Sequence, residues 1–375
     1  MASDSKEVEV DMAPLFRLYK DGTVYRQDPY SRLLPSPEPD AEGVASKDIT
    51  LDAARGLWVR IFLPGSPTSL NLAHEKLPLV LIFHGGGFVF GNPAWSNFHM
   101  FCVSMAKRSH SIVVSASYRL APEHRFPAAF EDGFSALKWL HSQSIHQSEG
   151  NHELTEPWLI SADFSRCFIA GESAGGTLAY HVARMAFNTP YSVASWMPMC
   201  MEGLVLIHPG FMRGTRTQEE LDSYQDVFMN WNTADACIQL TLPQGCSIDN
   251  SYFNPLPIVS SPDCPFTLPK TLILLADKDA LHFYVLQCVE ALKDACCQVD
   301  VVMEHGVGHV FFIAQPDSEQ AQHMTQSIDH FINKDHKSGI FAISDKSERQ
   351  ESVDLIEDRS TEKRAIRANV SLCEE

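Results

Sequence analysis

The sequence predicts an α/β fold in which a mostly parallel central sheet is covered on both faces by helices. Three observations carry this expectation. Short β-rich runs alternate with amphipathic stretches along most of the 375 residues. Those runs are near-continuously apolar, as strands buried on both faces must be, instead of alternating apolar with polar. The chain, 45% hydrophobic, is long enough to bury one large core without dividing into several domains.

Strands are expected over residues 57–63, 77–84, 111–118, 167–171, 201–208, 271–276 and 299–304. Between and after them, helical patterns run over 126–142, 175–187, 283–296 and 318–332. In the last of these, Ala321, Met324, Ile328, Phe331 and Ile332 recur at helical spacing and mark one apolar face. Near the start, residues 16–25 read as two short strands around an Asp21-Gly22 turn. Residues 212–265 interrupt the alternation and mix Phe228, Trp231 and Leu240 with proline and glycine. A segment of that size inside a compact domain is expected to be functional, a helical lid over a site. Residues 335–375 are dense in charge and serine with no periodic apolar face, so a flexible tail is expected after a catalytic domain of residues 1–334.

Composition narrows the function classes. A net charge of −18 repels phosphate backbones and anionic headgroups, so neither nucleic acid nor membrane is an expected partner. The first fourteen residues are acidic and lack a signal-type apolar stretch, and no run is long enough to span a bilayer. Ten cysteines without a CxxC pair, in a chain with no secretory leader, read as mostly buried free thiols and not as disulfides or a zinc site. A cytoplasmic or nuclear protein, monomeric or weakly self-associating, is the expectation. The Asn369-Val370-Ser371 sequon then carries no weight.

Two motifs carry chemistry. Gly171-Glu172-Ser173-Ala174-Gly175-Gly176 follows the apolar run 167–170 and opens a helix, which is the strand–turn–helix setting of a G-x-S-x-G nucleophile elbow. Ser173 must sit on a sharp, strained turn, so residues 171 and 175 must be small. The positive end of the following helix points where an oxyanion would form. Independently, His84-Gly85-Gly86-Gly87-Phe88 follows the run 79–83. Successive glycines let backbone N–H groups converge on one carbonyl oxygen, as in the HGGG loop that completes an oxyanion hole. His84 is expected to orient that loop by hydrogen bonding. A base is expected just after the last strand, where His305 and His309 both lie. His309, between Gly306-Val307-Gly308 and an apolar helix entry, is placed to swing over the site. The acid is expected at the end of the 271–276 strand, where Asp277 and Asp279 both stand.

These residues resemble the plant carboxylesterases of the hormone-sensitive-lipase-like branch of the α/β-hydrolase fold, over roughly residues 13–333. Further stretches share the likeness: 118–129 (Tyr118-Arg119-Leu120-Ala121-Pro122-Glu123 onward), Leu206-Ile207-His208-Pro209, Leu242-Pro243, Asn254-Pro255 and Gly308-His309-Val310-Phe311. The resemblance implies Ser173 as nucleophile, His309 as base and Asp279 as acid. It also implies oxyanion donors on Gly86, Gly87 and Ala174, and a small carboxylic ester as substrate with no metal or organic cofactor. Arg119 and Glu123 are implied to make buried polar ties, and 212–265 with the N-terminal residues to cover the acyl and alcohol pockets. Three positions depart from the family pattern: Glu172 where aspartate is common, Thr177 where asparagine is common, and Gly210 in place of an aromatic. They bear on substrate preference. Two other readings share the scaffold: a 2-hydroxyisoflavanone-type dehydratase, and a gibberellin-receptor-like binding protein, against which His309 argues.

Overall fold

The computed structural model describes residues 6–66, 76–187, 193–223, 230–249, 251–259 and 267–334. The chain divides into two units, Met1–Ile332 and Asn333–Glu375, and the description that follows is of the first. The expected tail, the sequon, Cys264 and Cys373 lie outside the described residues, as do 224–229, 250 and 260–265 of the expected lid.

The main sheet has eight strands. β4 (Val44–Asp52), β5 (Leu57–Pro64), β6 (Leu77–Phe83), β7 (Ile112–Ala116), β8 (Ala162–Glu172), β9 (Met201–Ile207), β10 (Lys270–Ala276) and β11 (Val299–Glu304) lie in the spatial order β11-β10-β9-β8-β6-β7-β5-β4. Pairing is parallel from β7 to β11 and antiparallel for β4 with β5 and β5 with β7. All seven expected main-sheet strands are present. The 167–171 run is the inner half of a longer strand that begins at Ala162, because Asp163 and Ser165 break its apolar signal. β4 was not expected. As an antiparallel edge strand it is only half-buried along Lys47–Asp52, so its apolar content is diluted.

Helices cover both faces. α1 (Ser96–Ser109), α2 (Ala128–Ser148), α3 (Ala174–Phe187), α7 (His282–Asp294) and α9 (Glu319–Asn333) are the long ones. The pleat divides the strand side chains: Leu77, Leu79, Leu81 and Phe83 of β6 join the core under α2, α3 and α7, whereas Val80 and Ile82 join that under α1 and α9. Each such buried aliphatic or aromatic side chain contributes about 1.5–3 kcal/mol. The face of α9 named from the sequence is buried as expected, and Ser318 caps the helix by accepting from the Ala321 N–H at 3.2 Å. Helix α1 was missed although Phe98, Phe101, Cys102 and Met105 stand at i, i+3, i+4 and i+7, the spacing that reveals an amphipathic helix.

The N-terminal residues form a separate three-stranded antiparallel sheet of β1 (Val8–Met12), β2 (Phe16–Tyr19) and β3 (Val24–Arg26). The Asp21-Gly22 turn joins β2 to β3 as expected, with Gly22 at φ +82°. Between β9 and β10 run α4 (Gln218–Asp222), α5 (Trp231–Thr241) and α6 (Leu256–Val259). Val10, Phe16 and Leu18 pack with Cys237 and Leu240 of α5 and with Val89, so the small sheet and α5 share a core beside residues 84–90. Arg26 fixes that arrangement, donating to the Val89 carbonyl at 2.6 Å and to the Ala121 carbonyl at 2.5 Å. The short helix α8 (Phe311–Ala314) precedes α9. The eight described cysteines are unpaired, and four of them, at 102, 167, 237 and 288, are buried. Among the described residues no helix is long and apolar enough to cross a membrane.

Candidate active site

The elbow forms where β8 meets α3. Ser173 has φ +54°, in the left-handed region that non-glycine residues enter at a cost. Four hydrogen bonds hold it there. Its N–H donates to the Ile207 carbonyl at 2.9 Å, and its carbonyl accepts from the N–H groups of Gly176, Thr177 and Gly210 at 2.9, 3.1 and 3.0 Å. The flanking glycines are required by contact. A Cβ at 171 would run into the Gly175 carbonyl, and one at 175 into the carbonyls of Phe83 and His84.

His309 and Asp279 arrive from the carboxyl ends of β11 and β10. His309 Nε2 lies 2.8 Å from Ser173 Oγ, and its Nδ1 lies 2.7 Å from Asp279 Oδ2. An ionised carboxylate only accepts, so the ring proton sits on Nδ1 and Nε2 is left to accept from the serine hydroxyl. The three are 7%, 8% and 2% exposed for Ser173, His309 and Asp279. Burial by itself would raise the Asp279 carboxyl. The charge and hydrogen bond of His309, the nearby His208 and the Leu281 N–H at 3.0 Å outweigh it, so the group titrates below its ordinary range. The other candidate pair separates from this one: His305 and Asp277 meet each other at 3.2 Å, with His305 largely exposed.

The 84–87 loop completes the site. Gly86 and Gly87 have φ of +106° and +60°, which orient their N–H groups as few other residues could. A Cβ at 87 would strike the Cys237 sulfur of α5. The N–H groups of Gly86, Gly87 and Ala174 donate to no acceptor among the described residues. Gly85, by contrast, donates to the Glu172 carboxylate at 2.6 Å. Burial raises the Glu172 carboxyl, with the Gly85 bond and His309 opposing. His84 orients the loop as expected. Its Nδ1 meets the Gly85 carbonyl at 2.8 Å, its ring stacks on Tyr118 at 4.3 Å between centroids, and burial pushes it down to about 4. No local signal marks Cys237 as a neighbour of this loop, since a side chain of α5 that reaches a distant turn leaves no pattern near either position. Glu172 did carry a signal, a carboxylate inside the elbow itself.

Of the two polar ties expected in 118–129, Arg119 binds Asp132 at 2.7 and 2.8 Å, and the Asp132 carboxylate is fully buried. Glu123 departs from expectation. Its side chain is 45% exposed and it pairs with Arg26, because residues 16–26 pass over this surface. Among the described residues, His208, Asp279 and His309 form the one group of three whose possible metal-ligand atoms all lie within 4.8 Å of one another. Two of its members are already committed to each other by a hydrogen bond.

A family model described as the alpha/beta hydrolase fold matches residues 80–313. The chain is 33% identical over 330 residues to probable carboxylesterase 6 of Arabidopsis thaliana, covering 85% of this chain and 90% of the relative. It is also 33% identical to the 2-hydroxyisoflavanone dehydratase of Glycyrrhiza echinata, over 88% of this chain and 97% of that one. Among solved structures, the Pyrobaculum calidifontis esterase superposes with a TM-score of 0.62 at 26% identity, covering 77% of this chain and 84% of its own. The chain therefore belongs to the α/β-hydrolase fold family. Within it, the likeness is to the plant carboxylesterases of the hormone-sensitive-lipase-like branch.

Proposed function

We infer that the protein is a serine carboxylesterase that hydrolyses small carboxylic esters through an acyl-enzyme. The observation that carries this is the unbroken chain Ser173 Oγ, His309, Asp279 beside three N–H groups with no acceptor among the described residues. In this reading His309 takes the Ser173 proton as Oγ attacks the ester carbonyl. The negative charge that develops on the carbonyl oxygen is met by the N–H groups of Gly86, Gly87 and Ala174 and by the positive end of α3. His309, now protonated and balanced by Asp279, returns its proton to the departing alcohol. The same imidazole then deprotonates water, which attacks the acyl-enzyme and releases the acid. No step calls on a metal or organic cofactor. Residues 212–265 and the N-terminal sheet are read as the cap over the acyl and alcohol pockets, supported by the packing of α5 against the 84–90 loop.

One relative supports a second reading, a dehydratase on the same scaffold, in which the oxyanion site polarises a ketone. The two separate by substrate: short-chain aryl esters against a β-hydroxy ketone. The deciding experiment is fluorophosphonate labelling followed by peptide mapping, alongside Ser173→Ala and His309→Ala kinetics with and without EDTA. Label on Ser173, a loss in kcat of about 10⁴-fold or more for each variant, and indifference to EDTA are expected. A Ser173→Ala protein with near wild-type turnover would sink the assignment.

A further inference from the structure

The mechanism above leaves no task for His208, although it lies beside the reacting residues. It sits just past β9 with φ +45° and is 1% exposed. Its backbone N–H donates to the Leu274 carbonyl at 2.9 Å, which anchors it to β10, the strand between β9 and β11. Its Nδ1 accepts the N–H of Val310 at 2.8 Å, across 102 residues of sequence. Val310 directly follows His309 and is itself at φ +47°, a conformation unfavourable for a β-branched residue. The loop that delivers His309 holds glycines at 306 and 308, so it has conformational freedom to lose. Elsewhere in this loop the Val307 carbonyl accepts from the Lys278 N–H at 3.0 Å and the Gly306 N–H donates to the Asp277 carboxylate at 2.8 Å.

Acceptance at Nδ1 puts the His208 ring proton on Nε2, which has no hydrogen-bond partner among the described residues. The titratable groups facing the ring are Asp279 and His309, with the His309 centroid 5.8 Å away. Phe311 and Phe312 close it in at 5.7 and 6.0 Å. Burial, opposed by Asp279 and reinforced by His309, pushes His208 down to about 3, so the ring stays neutral and its Nδ1 remains an acceptor.

We propose that His208 is a positioning residue: through the Val310 N–H it holds the loop so that the His309 ring stays in line between Asp279 and Ser173. This rests on the reading of Ser173, His309 and Asp279 as the reacting set. Misplacement of a catalytic group by about 1 Å costs on the order of 10²-fold in rate, so one anchoring bond can matter at this position.

The test uses full-length protein and a short-chain aryl ester. His208→Phe keeps a flat ring but removes the acceptor. His208→Asn restores an acceptor at the δ position and tolerates a positive φ. His208→Phe is expected to lower kcat by about 10²-fold with KM changed less than about threefold, and His208→Asn to recover most of it. The acid limb of kcat/KM should shift in the phenylalanine variant and return in the asparagine one, which a merely structural contribution would not produce. Wild-type kcat and acid limb in His208→Phe, or equal impairment in both variants, would overturn the proposal. If His208→Phe does not fold, His208→Ala is read in its place, and failure of both to fold would show that the bond serves the fold and not the ring. A wild-type protein that neither hydrolyses esters nor takes the label on Ser173 removes the esterase reading itself. A labelled, active wild type with an indifferent His208→Phe removes only His208.

Discussion

Asp277 and Asp279 stand two residues apart beyond one strand, and their surroundings differ sharply. Asp279 is buried and bonds His309, whereas Asp277 bonds the exposed His305 and the Gly306 N–H at 2.8 Å, closing a surface turn. Asp279→Asn should therefore lower kcat by up to about 10⁴-fold by disfavouring the productive histidine tautomer, and Asp277→Asn by no more than about tenfold. Side-by-side kinetics check this, and the reverse ranking would transfer the acid's role. Glu172 permits a second expectation. Its folded pKa is raised, so the fold favours the protonated form; that contribution is full below the ordinary value of 4.5 and is lost as pH rises through the raised one. Glu172→Gln keeps an oxygen to accept from Gly85 but never ionises. The difference in melting temperature, variant minus wild type, should thus grow in the variant's favour as pH rises from about 4 to 8. A difference that stays flat across melts in that range would mean that Glu172 is not driven toward its neutral form.

At the scale of elements, the sequence was most legible where one face of the chain had one job. β6 and α9 announced themselves because β6 is a continuous apolar run and the buried face of α9 is apolar at helical spacing, Thr325 excepted. β4 did not, because an edge strand half in water has a diluted pattern. The elbow and the 84–87 loop were legible because glycine is forced there by close backbone approach, which a motif records. The meeting of α5 with that loop was not, since a contact between Gly87 and Cys237 across 150 positions leaves no local trace. It has a measurable consequence. Gly87→Ala places a methyl group against the Cys237 sulfur at φ +60°, and should lower kcat by about 10²-fold by displacing a proposed oxyanion donor. Adding Cys237→Ala should recover part of the loss, because the collision is relieved while the backbone strain persists. No recovery in the double variant would assign the whole effect to strain.

For the molecule as a whole, alternation of strand and helix was enough to foresee a parallel sheet clothed on both sides, but not its strand order, which depends on crossovers that no local pattern encodes. That order sets unequal depths. β8, which ends at the elbow, has a neighbour on each side, whereas β11, which leads to His309, is the last strand on its side and is only half-buried along most of its length. The proposed nucleophile and base are thus carried by parts of the sheet that need not open together. An outer strand with one paired side and modest burial belongs to the low-energy end of local opening, while the centre opens only with the whole domain. Ester turnover then reports on the rim, and far-ultraviolet circular dichroism on the interior. In a urea titration, activity should fall at lower denaturant than the helical signal, and amide exchange in Val299–Glu304 should be faster than in the inner half of β8. Superimposable curves with uniform protection would show instead that rim and interior share a single cooperative unit.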